Sequence, residues 1–166
     1  MQPNRVYFVE ESEVRDAVCA AFERVRAILE GLLPDARVEH IGATSVAGSI
    51  TKGDLDVCVL VQQDGFASAD RVLAQRFERN VGSDRTDSLS SFVDPSADVP
   101  VGIQLVARGA GSDDFVRWRE LLRRSPQLLS AYNDLKRHWH GAPHDQYRAA
   151  KSRFIEESLS SPPQGS

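Results

Sequence analysis

Apolar side chains recur every three or four positions from Val14 to Leu32, through Val18, Ala21, Phe22, Val25, Ile28 and Leu29. That spacing makes one apolar stripe and predicts a long amphipathic helix, with Ser12 as candidate N-cap and Pro34 as the stop. Before it, "RVYFV" (5–9) reads as a short strand at a sheet edge. After it, "RVEHI" (37–41) reads as a strand, and "GATSVAGS" as a turn entering a short irregular segment. "DLDVCVLV" (54–61) carries an unbroken apolar run and predicts a strand buried on both faces. "GFASADRVLAQRFER" (65–79) returns to helical spacing, with Phe66, Ala69, Val72, Leu73 and Phe77 inward. "SLSSFV" and "VPVGIQLVA" read as further strands, separated by the turn-rich "DPSADVP". From residue 113 the pattern becomes helical three times over, in "DDFVRWRELLRRS", "PQLLSAYNDLKRHW" and "DQYRAAKSRFIEESL". Pro126 suits a first helical turn, and "HGAPH" a loop. A mixed β-sheet with flanking helices and a C-terminal helical cap follows, an α+β class. The expected organisation is one domain over 1–160 with a disordered tail at 161–166.

Composition narrows the picture. The 166 residues are 41% hydrophobic and 27% charged, with a formal net charge of −4. That length suits one real core, and that charge argues against broad nucleic-acid binding or attraction to anionic membrane. The N-terminus shows no apolar leader and no run is long enough to span a bilayer. Two isolated cysteines, Cys19 and Cys58, make neither a disulfide framework nor a zinc knuckle, so a cytoplasmic location is expected.

The acids that open the buried strand are the first sign of chemistry. Side chains at i and i+2 of a strand share a face, so Asp54 and Asp56 project together with Leu55 toward the core. Two carboxylates so close repel unless a cation lies between them. Hard oxygen donors suit Mg²⁺ or Mn²⁺, which also take phosphate oxygens from a substrate. Gly42, at the end of the preceding strand, allows close backbone approach to a phosphate, and Thr44 and Ser45 add hydroxyls. An isolated D-x-D is more often a solvated strand entrance. It is the strand, glycine turn, hydroxyls and acid pair in this order that single the segment out.

"HIGATSVAGSITKGDLDV" resembles the nucleotidyltransferase superfamily signature and, more narrowly, the GrpB family, whose fold is polymerase-beta-like. "WRELLRRSPQLLSAYNDLK" and "YRAAKSRFI" extend the resemblance over most of the chain. It implies a protein that binds a nucleoside triphosphate, or another phosphorylated small molecule, with Mg²⁺ or Mn²⁺. Nucleotidyl transfer to an unspecified acceptor would follow, with Asp54 and Asp56 as catalytic and metal-binding residues. His40, Gly42, Thr44, Ser45, Lys52, Gln104, Lys136, Tyr147 and Lys151 would contact the substrate; Arg119, Pro126 and Tyr132 also match the pattern. Two departures stand out: Ala43 where a Ser is usual, and "KGDLD", which keeps the first acid of the superfamily pair. The third acid of an active site belongs on a later strand, where "VGIQLVA" offers Gln104. A neutral amide is a poor base, so the alternative is a catalytically weak or inactive nucleotide- or anion-binding regulatory module.

Other features stay open. Basic residues outnumber acids between Arg117 and Arg153, either as solvated helix faces or as an electropositive wall for an anion. His40 is either a hydrogen-bonded strand histidine or a ligand contact. His138, His140 and His144 have spacing that could hold zinc, but lie in a polar loop without a fixed acidic or cysteine partner. Trp118 and Trp139 read as packing residues. Ser49, Ser88, Ser90 and Ser91 lack a nucleophile-elbow context. Oligomeric state is not specified.

Overall fold

In the computed structural model, residues 4–109 and 113–161 are described. In chain order these form β1 (Val9–Glu10), α1 (Glu11–Leu32), β2 (Arg37–Ile41), a 3₁₀ turn (Ala43–Ser45), β3 (Ile50–Thr51) and β4 (Leu55–Val61). After a 3₁₀ turn (Gln63–Gly65) come α2 (Phe66–Arg76), β5 (Glu78–Arg79), β6 (Leu89–Val93), β7 (Val101–Ala107), α3 (Asp114–Arg124), α4 (Pro126–Trp139) and α5 (His144–Ser160). Five strands form one sheet in the order β2-β4-β7-β6-β5, with β4 and β7 parallel and the other pairs antiparallel. The architecture is the expected mixed sheet with flanking helices and a helical cap. No helix among the described residues is long and apolar enough to cross a membrane.

The two faces of the sheet do different work. Val57, Val59, Ile103, Leu105 and Phe92 line one face and pack against the apolar stripes of α1 and α2. Leu55, fully buried at the start of β4, joins this core, and burial of one such side chain contributes about 1.5–3 kcal/mol. The opposite face carries Asp56, Cys58 and Leu60 on β4, and a smaller cluster of Ile41, Cys58, Leu60 and Val106 packs there with Val116 of α3. Trp118, Leu122 and Tyr132 join α3 and α4 to Val46 of the turn, with Phe154 and Ile155 of α5 completing the cap. Trp118 is thus the packing residue expected.

Three local expectations change. The 5–9 segment does not edge the main sheet. Val6 N–H donates to the Ala142 carbonyl and Gly141 N–H to the Val6 carbonyl, at 3.0 and 2.8 Å, so this stretch lies along the α4–α5 loop, and β1 pairs with β3 in a separate two-stranded sheet. Ser12 is not the cap of α1. The helix begins at Glu11, with Glu10 at the cap position, and the Ser49 carbonyl accepts the Glu11 N–H at 2.9 Å. The second helix stops at Arg76, and residues 78–79 form edge strand β5. Phe77 is buried, and Arg79 turns back to form two hydrogen bonds with Asp70 of α2. Pro126 does open α4, and Ser125 Oγ accepts the Leu128 N–H. Of the expected tail, Ser161 follows α5, and 162–166 lie outside the described residues.

Candidate functional site

Strand register builds the site around Asp56. Ile41, Asp56, Gly102 and Val93 stand side by side across β2, β4, β7 and β6. The neighbours of the Asp56 carboxylate on both sides are glycines. A Cβ on Gly42 would lie 2.5 Å from Asp56 Oδ2, and one on Gly102 would lie 3.1 Å from Oδ1. Gly42 adopts φ 74° and ψ −175°, a backbone region essentially reserved for glycine. The glycine turn therefore makes room for a carboxylate of this chain.

Asp54 lies just before β4, and its carboxylate is 3.6 Å from Lys52 Nζ. Burial pushes the Asp56 carboxyl up to about 6, the Asp54 charge adds to the shift, and Lys151 and Lys52 oppose it. Two acids thus interact at the mouth of β4, with lysines as counter-charges.

Helix α5 supplies the facing wall. His144, Tyr147 and Lys151 fall at helical spacing on one side of it. Burial lowers the Lys151 ammonium and the Asp56 charge supports it. Burial raises the Tyr147 hydroxyl, which interacts with Tyr132, and both acids push it further up. Burial lowers His144, with Lys52 as the next cause.

Lys136 behaves differently. It is 1% exposed, its Nζ donates to the Ile50 carbonyl at 2.6 Å, and it lies 4.0 Å from the centre of the Tyr132 ring. Burial, then Lys151, brings it down to about 7. Beside it Asn133 accepts the Ile50 N–H and donates to the Gly48 carbonyl, each at 3.0 Å. Lys136 and Asn133 clamp the segment that leads to the acids.

His40 points away from the acid pair. It stands opposite Val57 in the register, on the core face, stacked on Phe22 at 5.1 Å. Its Nε2 is 3.0 Å from Thr44 Oγ1, which donates to the Asp54 carbonyl at 3.0 Å. Burial, then Arg123 and Arg119, lowers the imidazole to about 4, so it is neutral. Ser45 Oγ donates to the Gly42 carbonyl. The hydroxyls expected to face phosphate both donate to backbone carbonyls, Thr44 to Asp54 and Ser45 to Gly42.

The profile of the family described as "GrpB protein" matches residues 9–161. This chain belongs to the GrpB family. A UPF0157 protein of Vibrio cholerae is 33% identical to this family member over 157 residues, 94% of this chain and 83% of the relative. A UPF0157 protein of Deinococcus radiodurans is 28% identical over 143 residues, 84% of this chain and 74% of that one. Among solved structures, GrpB from Enterococcus faecalis superposes with a TM-score of 0.66 at 20% identity, covering 86% of this chain and 93% of its own. The Cid1 poly(U) polymerase, in a structure described as MgGTP-bound, superposes with a TM-score of 0.52 at 20% identity, covering 80% of this chain and 44% of the polymerase chain. The GrpB sheet and its helices therefore share the fold of nucleotidyltransferases.

Within this GrpB-family protein several expected ligands have other partners. Gln104 stands opposite Cys58, one row beyond Asp56, and its Oε1 accepts from Ser91 Oγ. The residue directly beside Asp56 on β7 is Gly102, and Gln104 lies two residues farther along the same strand. Much of the basic run is not a free electropositive wall. Arg119 binds Glu39 and the His40 carbonyl at 2.7 and 2.8 Å, Arg123 binds the Ser45 carbonyl at 2.6 Å, and Arg117 binds the Leu159 carbonyl. Lys52 and Lys151 remain beside the acids. His140 Nδ1 accepts the Phe8 N–H and its ring packs on Tyr7. Among the described residues no three His, Cys, Asp or Glu side chains group as a metal site. Two carboxylates on one side fit an ion that completes its shell with water and substrate phosphates, as Mg²⁺ and Mn²⁺ do, and not one caged by protein. Two residues of the site were not assigned to it from sequence. His144 had the helical spacing to Tyr147 and Lys151 as its signal, whereas Gly102 had none short of knowing the register.

The raised Asp56 carboxyl has a measurable consequence. Between its ordinary value and about 6, the folded state binds more protons than the unfolded one. Stability of the metal-free protein therefore falls as pH rises through that window. Thermal melting in chelator should show Asp56→Asn more stable than wild type at about pH 8, with the gap closing below about pH 4.

Proposed function

We infer that the Asp54–Asp56 pair at the mouth of β4 binds a nucleoside triphosphate, or a related phosphorylated small molecule, together with Mg²⁺ or Mn²⁺, and transfers a nucleotidyl group slowly or not at all. The observation that carries this reading is the interacting acid pair at the mouth of β4 with Lys52 and Lys151 as its counter-charges. Shared fold with a polymerase whose structure holds MgGTP supports it. The ion, when bound, would supply electrostatic stabilisation of phosphate oxygens during displacement. Asp54 and Asp56 would hold it, ionised Asp56 being favoured once a cation offsets Asp54. Lys52 and Lys151 would balance phosphate charge, and Tyr147 and His144 would bound the site on the α5 side.

Weak turnover is the part that Gly102 favours. A group that accepts the proton of an attacking hydroxyl is typically worth about 10²–10⁴-fold, and the position beside Asp56 carries no side chain. The second reading, a nucleotide- or anion-binding regulatory module, rests on the same glycine. Two unpaired cysteines support a cytoplasmic protein.

Labelled nucleoside triphosphates incubated with Mg²⁺ or Mn²⁺ test the proposal. Calorimetry should show metal-dependent triphosphate binding that Asp56→Asn removes, with single-turnover transfer or hydrolysis slow. Rapid turnover would establish the enzyme and refute the weak-catalyst reading. Equal binding by wild type and Asp56→Asn would remove the assignment of the site.

A further inference from the structure

The peptide that joins Asp54 to Leu55 is held at both ends. Its carbonyl accepts from Thr44 Oγ1 at 3.0 Å, ten residues earlier in the chain. Its N–H donates to the Pro100 carbonyl at 2.8 Å, just before β7. This peptide lies between the two acids, so its plane decides how the Asp54 side chain leaves the chain relative to Asp56. Thr44 has one hydroxyl proton and gives it to the Asp54 carbonyl. The 3.0 Å contact with His40 Nε2 must therefore be donated by the imidazole, which fixes the tautomer with the proton on Nε2. The ring is in turn fixed by its stack on Phe22. A chain of contacts thus runs from the α1 core, through β2 and the turn, to the backbone between the acids.

We propose that His40 and Thr44 are positioning residues, which orient the Asp54–Leu55 peptide and so hold the two carboxylates in register for one divalent cation. This rests on the proposed function for its cation, but not for the relay. It differs from a phosphate-ligand role for either residue in what it predicts for metal binding without nucleotide. Groups that orient metal ligands typically change metal affinity about 10–100-fold when lost.

The test uses the whole chain and Mn²⁺ alone, with free ion read by electron paramagnetic resonance. Thr44→Val keeps the shape and removes the hydroxyl; Thr44→Ser keeps the hydroxyl. Thr44→Val is expected to weaken Mn²⁺ binding about 10–100-fold, and Thr44→Ser to restore it to near wild type. Nuclear magnetic resonance should find the His40 proton on Nε2, and should find the Asp54 carbonyl carbon and Leu55 amide shifted in Thr44→Val. His40→Phe, which keeps the stack and loses the donor, provides the same readouts should Thr44→Val fail to fold. Wild-type Mn²⁺ affinity in Thr44→Val overturns the proposal. So does a loss confined to Mn²⁺ with triphosphate, which would make Thr44 a phosphate ligand. Failure of wild type to bind Mn²⁺ would instead sink the divalent-ion reading. The relay is then judged by resonance, and an unshifted Asp54–Leu55 peptide in Thr44→Val overturns it.

Discussion

Gly42→Ala is expected to damage stability and metal binding together. The methyl group would stand 2.5 Å from Asp56 Oδ2, a distance no unstrained contact reaches, and the backbone would hold a non-glycine residue at φ 74° and ψ −175°. The backbone alone costs about 1–3 kcal/mol. The Asp56 side chain must then rotate away from Gly42, toward Gly102 on its other side. Urea unfolding should show the destabilisation, and Mn²⁺ affinity should fall with it. The discriminating measurement is a double-mutant cycle with Asp56→Ala. Removing the carboxylate removes the 2.5 Å collision and leaves only the 3.1 Å approach to Cβ, so the double variant should recover part of the loss, a coupling of about 0.5–3 kcal/mol. Additive effects would mean that Gly42 is there for its backbone alone.

Arg119→Ala should be among the most destabilising single changes on the site face. Arg119 is 8% exposed on α3, bonded to Glu39, to the His40 carbonyl and to Glu120. Burial alone would raise the Glu39 carboxyl, but hydrogen bonds from Arg119 and Arg37 outweigh it and hold it below its ordinary value. Breaking a buried pair by removing one partner costs about 3–5 kcal/mol. Glu39 keeps Arg37 and some solvent, so the lower end is expected. The pair's contribution is present at neutral pH and is lost as pH falls through the depressed Glu39 value. The gap between wild type and Arg119→Ala should therefore narrow in acid. Arg119→Met with Glu39→Gln, which removes both charges of the pair and leaves only the exposed Arg37 without its carboxylate, should recover most of the loss in the same urea titration.

Both changes mark where the chain was readable and where it was not. The α1 stripe, the buried run of β4 and the three cap helices follow from apolar spacing, because local periodicity reports which face an element buries. Asp54 and Asp56 were legible for the same reason. Parity along "RVEHI" also carries a signal for His40: it alternates with Ile41, which stands beside Asp56, and shares a face with Val38, which packs on the core. Motif spacing suggested a ligand, whereas strand parity puts His40 on the face of Val38 and Val57. What could not be read is long-range register. Nothing local says that Gly102 and not Gln104 lies beside Asp56, or that Gly42 is empty for a carboxylate 14 residues later. Lys136 and Arg123 look like any basic helix residue until the backbone carbonyls they reach, Ile50 and Ser45, are brought beside them. β5 was hidden because no glycine or proline follows Arg76 to stop the helix.

The most direct measurement is a crystal of this protein grown with Mn²⁺ and a non-hydrolysable nucleoside triphosphate, with anomalous diffraction recorded for manganese. The expected result is one anomalous peak bound by Asp54 and Asp56, with triphosphate oxygens completing its shell and Lys151 near the phosphates. Thr44 and His40 should be without contact to the ligand. A peak elsewhere, or triphosphate bound away from Asp56, would contradict the assignment of the acid pair as the binding site.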